Sequence, residues 1–194
     1  MGEGAVADEV GSFLEEAPLV RGRLRKGPDQ VLRRHAGGVV FAGRRGTMVF
    51  PYATTQVFTS EVPGADDGEL RGRAEWAFVR RGARWRAQGL KRSAPLAAVC
   101  RAATEASTTV RLAIVRQRLA AGDTVDFARL SATTHELWVH GHRPLPWGEA
   151  ERLVFPEVEP VGLETVTRGR FTVADQAVQI ADLAVLMALM EQGR

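Results

Sequence analysis

Residues 50–52 read Phe50-Pro51-Tyr52, and residues 145–147 read Leu145-Pro146-Trp147. Each is an apolar residue, a proline and an aromatic. Each follows a glycine-turn hairpin, Gly43-Arg44-Arg45-Gly46 in the first case and a turn beginning at Gly141 in the second. Downstream, Arg81-Gly82-Ala83-Arg84-Trp85 matches Arg168-Gly169-Arg170-Phe171, a basic-glycine turn leading to an aromatic. Each copy then runs into a helical pattern. Four features recurring in one order read as an internal duplication. The interval from Pro51 to Gly82 is 31 residues and that from Pro146 to Gly169 is 23. The excess falls in residues 60–73, where Pro63, Gly64, Gly68 and Gly72 mark a long loop, and loops absorb insertions cheaply.

Around these motifs the pattern alternates as strands do. In the first copy strands are expected at Val31–Leu32, Val39–Ala42, Thr47–Phe50, Gln56–Thr59, Ala74–Val79 and Arg84–Ala87. An alanine-rich helix runs from Pro95 to about Ala121, where Gly122-Asp123 stops it. The second copy repeats the order with strands at Val125–Ser131, His135–His140, Leu153–Phe155, Glu164–Thr167 and Phe171–Val173. A closing helix follows, capped by Asp175 and ending near Gln192. Ahead of both copies, Ala5, Val6, Val10, Phe13 and Leu14 recur near helical spacing among acids, so Gly4–Glu16 reads as a short amphipathic helix.

A bent antiparallel sheet followed by one C-terminal helix resembles a pleckstrin-homology-like (PH-like) domain. The second half is similar to an uncharacterised, mostly actinobacterial family of such proteins, through Phe127, Leu137, Leu145-Pro146-Trp147 and the run from Val173 to Met190. The first half departs from that pattern in having Phe50-Pro51-Tyr52 and the long loop. The resemblance implies an α+β fold of two PH-like domains, each a bent sheet or partial barrel closed by a helix. The expected organisation is an N-terminal helix and linker (1–21), a first PH-like domain (22–107), a helical connector (108–119) and a second PH-like domain (120–194). It implies binding or scaffolding and no particular reaction.

Composition narrows the rest. The chain has 194 residues, 45% hydrophobic and 25% charged, as an ordinary globular protein does. Cys100, the single cysteine, sits among apolar neighbours and reads as a core residue. No signal peptide or membrane-length apolar run is present, so a cytoplasmic location is expected. The formal net charge of +3 conceals an asymmetry: residues 21–101 carry 17 basic and six acidic residues, while 107–194 carry nine and 11. A local basic excess favours an acidic partner.

The candidate anion- or partner-binding residues are therefore Arg44, Arg45, Arg80, Arg81, Arg84 and Arg86, interleaved with Trp76, Phe78 and Trp85. Guanidinium groups hold phosphate or carboxylate bidentately, and adjacent aromatics stack on bases or sit at lipid interfaces. The competing reading makes the aromatics core and the arginines a solvated face. Pro51, Tyr52, Pro146 and Trp147 are the structural repeat motif. His135, His140 and His142 lack a third ligand at diagnostic spacing, so no metal is expected. No nucleophile elbow and no phosphate loop is present, so neither catalysis nor a cofactor is expected. The closing helix is apolar around almost its whole circumference, and the other copy or a homodimer would cover it. The expected function is a non-catalytic binding or scaffold module for a protein partner or a second copy. The alternative is recognition of an anionic membrane surface or nucleic acid by the basic first domain.

Overall fold

The computed structural model describes residues 8–19, 30–43, 46–60, 75–88, 94–155, 160–167, 169–174 and 177–192. In the first half, Phe13–Pro18 (β1), Val31–His35 (β2), Gly38–Gly43 (β3) and Gly46–Pro51 (β4) form an antiparallel sheet in that order. Gln56–Thr59 (β5), Glu75–Arg80 (β6) and Ala83–Gln88 (β7) form a second, three-stranded sheet. Helix α1, Ala94–Ala120, follows. In the second half, Val125–Asp126 (β8), Leu130–Ala132 (β9), Glu136–Val139 (β10) and Leu145–Pro146 (β11) form a four-stranded sheet. Ala150–Val154 (β12), Val161–Thr165 (β13) and Gly169–Ala174 (β14) form a three-stranded one. Helix α2, Leu183–Gln192, closes the chain. The chain is thus α+β, and the order four strands, three strands, helix occurs twice. The sheets are open: among the described residues no ladder joins the two sheets of either half into a closed barrel.

Glycine makes the turns that the sequence marks. Gly46, Gly82, Gly141 and Gly169 all have positive φ, a region that costs residues with a Cβ. Alternation then sorts the faces. In the first sheet Leu32, Val39 and Phe50 point into one core with Tyr52, Val57, Trp76, Phe78 and Trp85. In the second half Leu130, Leu137, Leu145 and Leu163 point into another, with Val185, Leu186 and Met190 of α2.

Helix α1 serves both cores. Leu96, Val99, Cys100 and Ala103 lie in the first, while Val115 and Leu119 lie in the second. At about 1.5 Å per residue it is roughly 40 Å long, enough to span two small units. Residues 108–119 form the second part of this 27-residue helix. Helix α2 packs on the second core and against α1, so its apolar circumference is covered from within the chain.

The N-terminal reading is corrected over residues 13–16. Among the described residues of this segment, 8–10 are helical. Gly11, at φ +75, ends the turn, and Phe13–Pro18 is a strand. Cross-strand pairing decides this: Glu15 and Glu16 meet Arg34 and Arg33 of β2, and Ala17 enters the core beside Leu32. Phe13 and Leu14, expected on an apolar helix face, are exposed. Residues 8–12 cross the outer face of the first sheet, where Val10 packs on Val40 and Val49 as a small third core. The expected strand Val125–Ser131 is also broken. Ala128 takes φ +68, and its N–H donates to the Asp126 carboxylate, splitting β8 from β9. The closing helix begins at Leu183, after a 3-10 turn at Ala177–Gln179. The residue before it is Asp182, whereas Asp175 lies outside the described residues.

Candidate functional site

The basic-aromatic stretch lies on the β6–β7 hairpin, and the pairing register sorts its side chains. Phe78 faces Trp85, with ring centroids 5.7 Å apart, and both are buried with Trp76 in the first core. Arg84 and Arg86 stand on the opposite face, in register with Val79 and Ala77. Arg80 shares the aromatic face at the hairpin end, where its guanidinium pairs with Glu9 of the N-terminal segment. Arg86 pairs with Glu75 of the neighbouring strand. Arg81, at the tip, and Arg84 are both exposed. Among the described residues no carboxylate pairs with either. Arg44 and Arg45 lie outside the described residues. The aromatics are thus core, and two of the four described arginines are neutralised.

The repeat motif ends strands. Pro51 closes β4 opposite Gly38, and Pro146 closes β11 opposite Glu136. The aromatics behind them differ. Trp147 is half-buried and donates Nε1–H to the Thr133 carbonyl at 3.0 Å. Tyr52 is buried, and its hydroxyl makes no well-formed hydrogen bond. Burial pushes its phenol up to about 12, against the pull of the Arg34 guanidinium nearby.

The histidines of the second half are exposed, and His142 rests against Phe171 at 4.9 Å between centroids. Among the described residues no three His, Cys, Asp or Glu side chains converge as metal ligands. Two aliphatic or aromatic side chains stand out on this half: Trp138, 43% exposed on the outer face of β10, and Val166, 66% exposed.

A densely bonded polar group lies outside the sequence-derived candidates. Asp182 is 5% exposed and immediately precedes α2. Its Oδ1 accepts the Val57 N–H at 2.9 Å, and its own N–H donates to the Val57 carbonyl at 2.7 Å. Its Oδ2 accepts Nε and Nη2 of Arg111 at 3.1 and 2.8 Å. Arg111, on α1, also donates Nη1–H to the Ala53 carbonyl at 3.2 Å. Nearby, the Gln56 side chain also crosses between the halves by donating to the Asp126 carbonyl, and within the second half Ala181 N–H donates to the Phe127 carbonyl. Burial holds the Asp182 carboxyl above the ordinary carboxylate range, against the opposing pull of Arg111 and the Val57 N–H. Asp182 is the lone acid in the apolar run Ile180-Ala181-Asp182-Leu183-Ala184-Val185, which is the sequence signal that marks it.

Neither a scan of protein-family models nor a search of curated proteins finds a match to this chain. Among the described residues no helix is long and apolar enough to cross a membrane.

Proposed function

We propose that this chain is a tandem PH-like, non-catalytic scaffold that binds a protein partner. The observation that carries the reading is the twofold order of four strands, three strands and a helix, with a separate core in each half. The same order is the plan of a PH-like domain, and it supports the resemblance to the actinobacterial family. One helix shared between two cores, with Asp182 bonded across them, holds two displayed surfaces at a fixed separation. That is what a scaffold needs. Trp138 offers the second half's outer face a large apolar anchor, and tryptophan is enriched where interfaces gain most of their energy.

A second reading rests on Arg81 and Arg84, which keep their charge without a described acid beside them. It is recognition of an anionic membrane surface or nucleic acid. Pairing of Arg80 with Glu9 and of Arg86 with Glu75 weakens it.

Salt separates the two, because phosphate binding falls steeply with ionic strength and an apolar contact does not. The experiment compares wild type, Trp138→Ala and Arg81→Ala/Arg84→Ala in capture from the native host at low and high salt. In parallel, phosphatidylserine vesicles and single-stranded DNA are offered. The expected result is a protein partner retained at high salt and lost on Trp138→Ala, with vesicles and DNA unbound. Salt-sensitive binding to vesicles or DNA that only the arginine variant abolishes would establish the second reading instead.

A further inference from the structure

We propose that Asp182 is a latch: it closes the free edge of β5, and its release lets the segment that carries it lift from β5 while both halves stay folded. This goes beyond the scaffold reading and does not depend on the partner's identity.

β5 is the edge of its sheet, in the order β5-β6-β7. An edge strand presents unpaired N–H and C=O groups that invite further pairing. At Val57 both groups are taken by one residue of the other half, Asp182, through its carboxylate and its own N–H. A single residue thereby makes both bonds that a neighbouring strand would make at that position.

Asp182 gives up its ordinary role to do so. It stands where an N-cap stands, and its carbonyl accepts the N–H groups of Val185 and Leu186. An N-cap aspartate normally turns its carboxylate back onto the first N–H groups of its own helix, from an extended backbone. Here the carboxylate is spent on Val57 and Arg111, and the backbone is held at φ +47, a strained value for a residue with a Cβ. Strain of this kind persists only where surrounding contacts hold it. The holding contact is Arg111, whose side chain is itself largely buried and which reaches both Asp182 and Ala53.

Besides these bonds, β5 packs against the Ala177–Gln179 turn and α2 on either side of Asp182. The first core is filled by β-sheet side chains and α1, and the second by α1, α2 and its sheets. The Asp182 side chain belongs to neither core, so releasing it opens this one contact while α1 still joins the halves and each core keeps its own packing.

Amide exchange on the full chain tests this with two variants. Asp182→Ala removes the carboxylate, and Asp182→Ala/Arg111→Leu also removes the buried cation that the first variant strands. The expected result, in either variant that folds, is exchange at the Val57 amide about ten-fold faster or more. Phe78 in β6 and Leu163 in β13 should keep nearly their wild-type protection in the double variant. Unchanged Val57 protection overturns the proposal. So does an equal loss at Val57, Phe78 and Leu163 in the double variant, because that reports global unfolding and not release of one edge.

Discussion

Asp182 and Arg111 form a buried pair, and such pairs are governed by desolvation as much as by attraction. Burial is the larger influence on Asp182 and raises its carboxyl above 3.8. The folded chain therefore holds this proton more tightly than the unfolded chain does. It follows that the stability contributed by Asp182 is full below the ordinary carboxylate range and is lost as pH rises through the raised value. Asp182→Asn keeps an oxygen for the Val57 N–H and imitates the protonated acid. The difference in stability between this variant and wild type should therefore shift toward the variant as pH rises from about 3 to neutral. Urea unfolding of both proteins across that range measures the difference. A difference that shifts toward wild type over that range would reverse the sign and show that attraction to Arg111 outweighs burial. Neither residue was legible as a site. Their contacts join positions 57, 111 and 182, separated by 54 to 125 residues, and no local periodicity reports such a meeting.

At the scale of elements, local chemistry and long-range pairing divide what can be read from sequence. The hairpins were legible because Gly46, Gly82, Gly141 and Gly169 mark turns whatever surrounds them. Helix α1 was legible because alanine-rich helical spacing runs unbroken to the Gly122 stop. The stretch 13–16 was not. Its acids and apolar residues imitate an amphipathic helix, yet Arg33 and Arg34 draw Glu16 and Glu15 into a strand. What precedes that strand depends on a glycine in another element. At Gly38 an added Cβ would meet the Phe50 carbonyl oxygen and Val10 Cγ1, each at 2.6 Å. The Phe50 oxygen is backbone and cannot swing aside. Gly38→Ala is therefore expected to cost about 1–3 kcal/mol, the range for overpacking. Adding Val10→Ala removes only the side-chain half of the clash, so it should not restore wild-type stability. Denaturant midpoints of the single and double variants check this, and an unchanged midpoint for Gly38→Ala would refute it.

At the scale of the molecule, the two-half organisation raises the question of whether the halves unfold separately. Each has its own core, and a half of this size buries a smaller fraction of its surface than a larger domain does. Composition could place the basic excess in the first half, but not the joining of the halves. Helix α1 answers that by contributing Leu96, Val99 and Cys100 to one core and Val115 and Leu119 to the other. A helix cannot melt at one end without loosening its neighbouring turns, since each backbone hydrogen bond spans four residues. Ala113 is exposed, between the last buried residue of the first stretch, Ser107, and Val115 of the second. Ala113→Gly removes no core contact and adds only the backbone entropy of glycine, about 1 kcal/mol. If α1 couples the halves, the most protected amides of β6 and β13 should share one free energy of opening. Both should then fall by the same amount in the variant. If the halves are independent, Phe78 and Leu163 will report different opening free energies in wild type, and the substitution will shift one of them alone. Native-state amide exchange at increasing denaturant reads both residues in one experiment and decides between these outcomes.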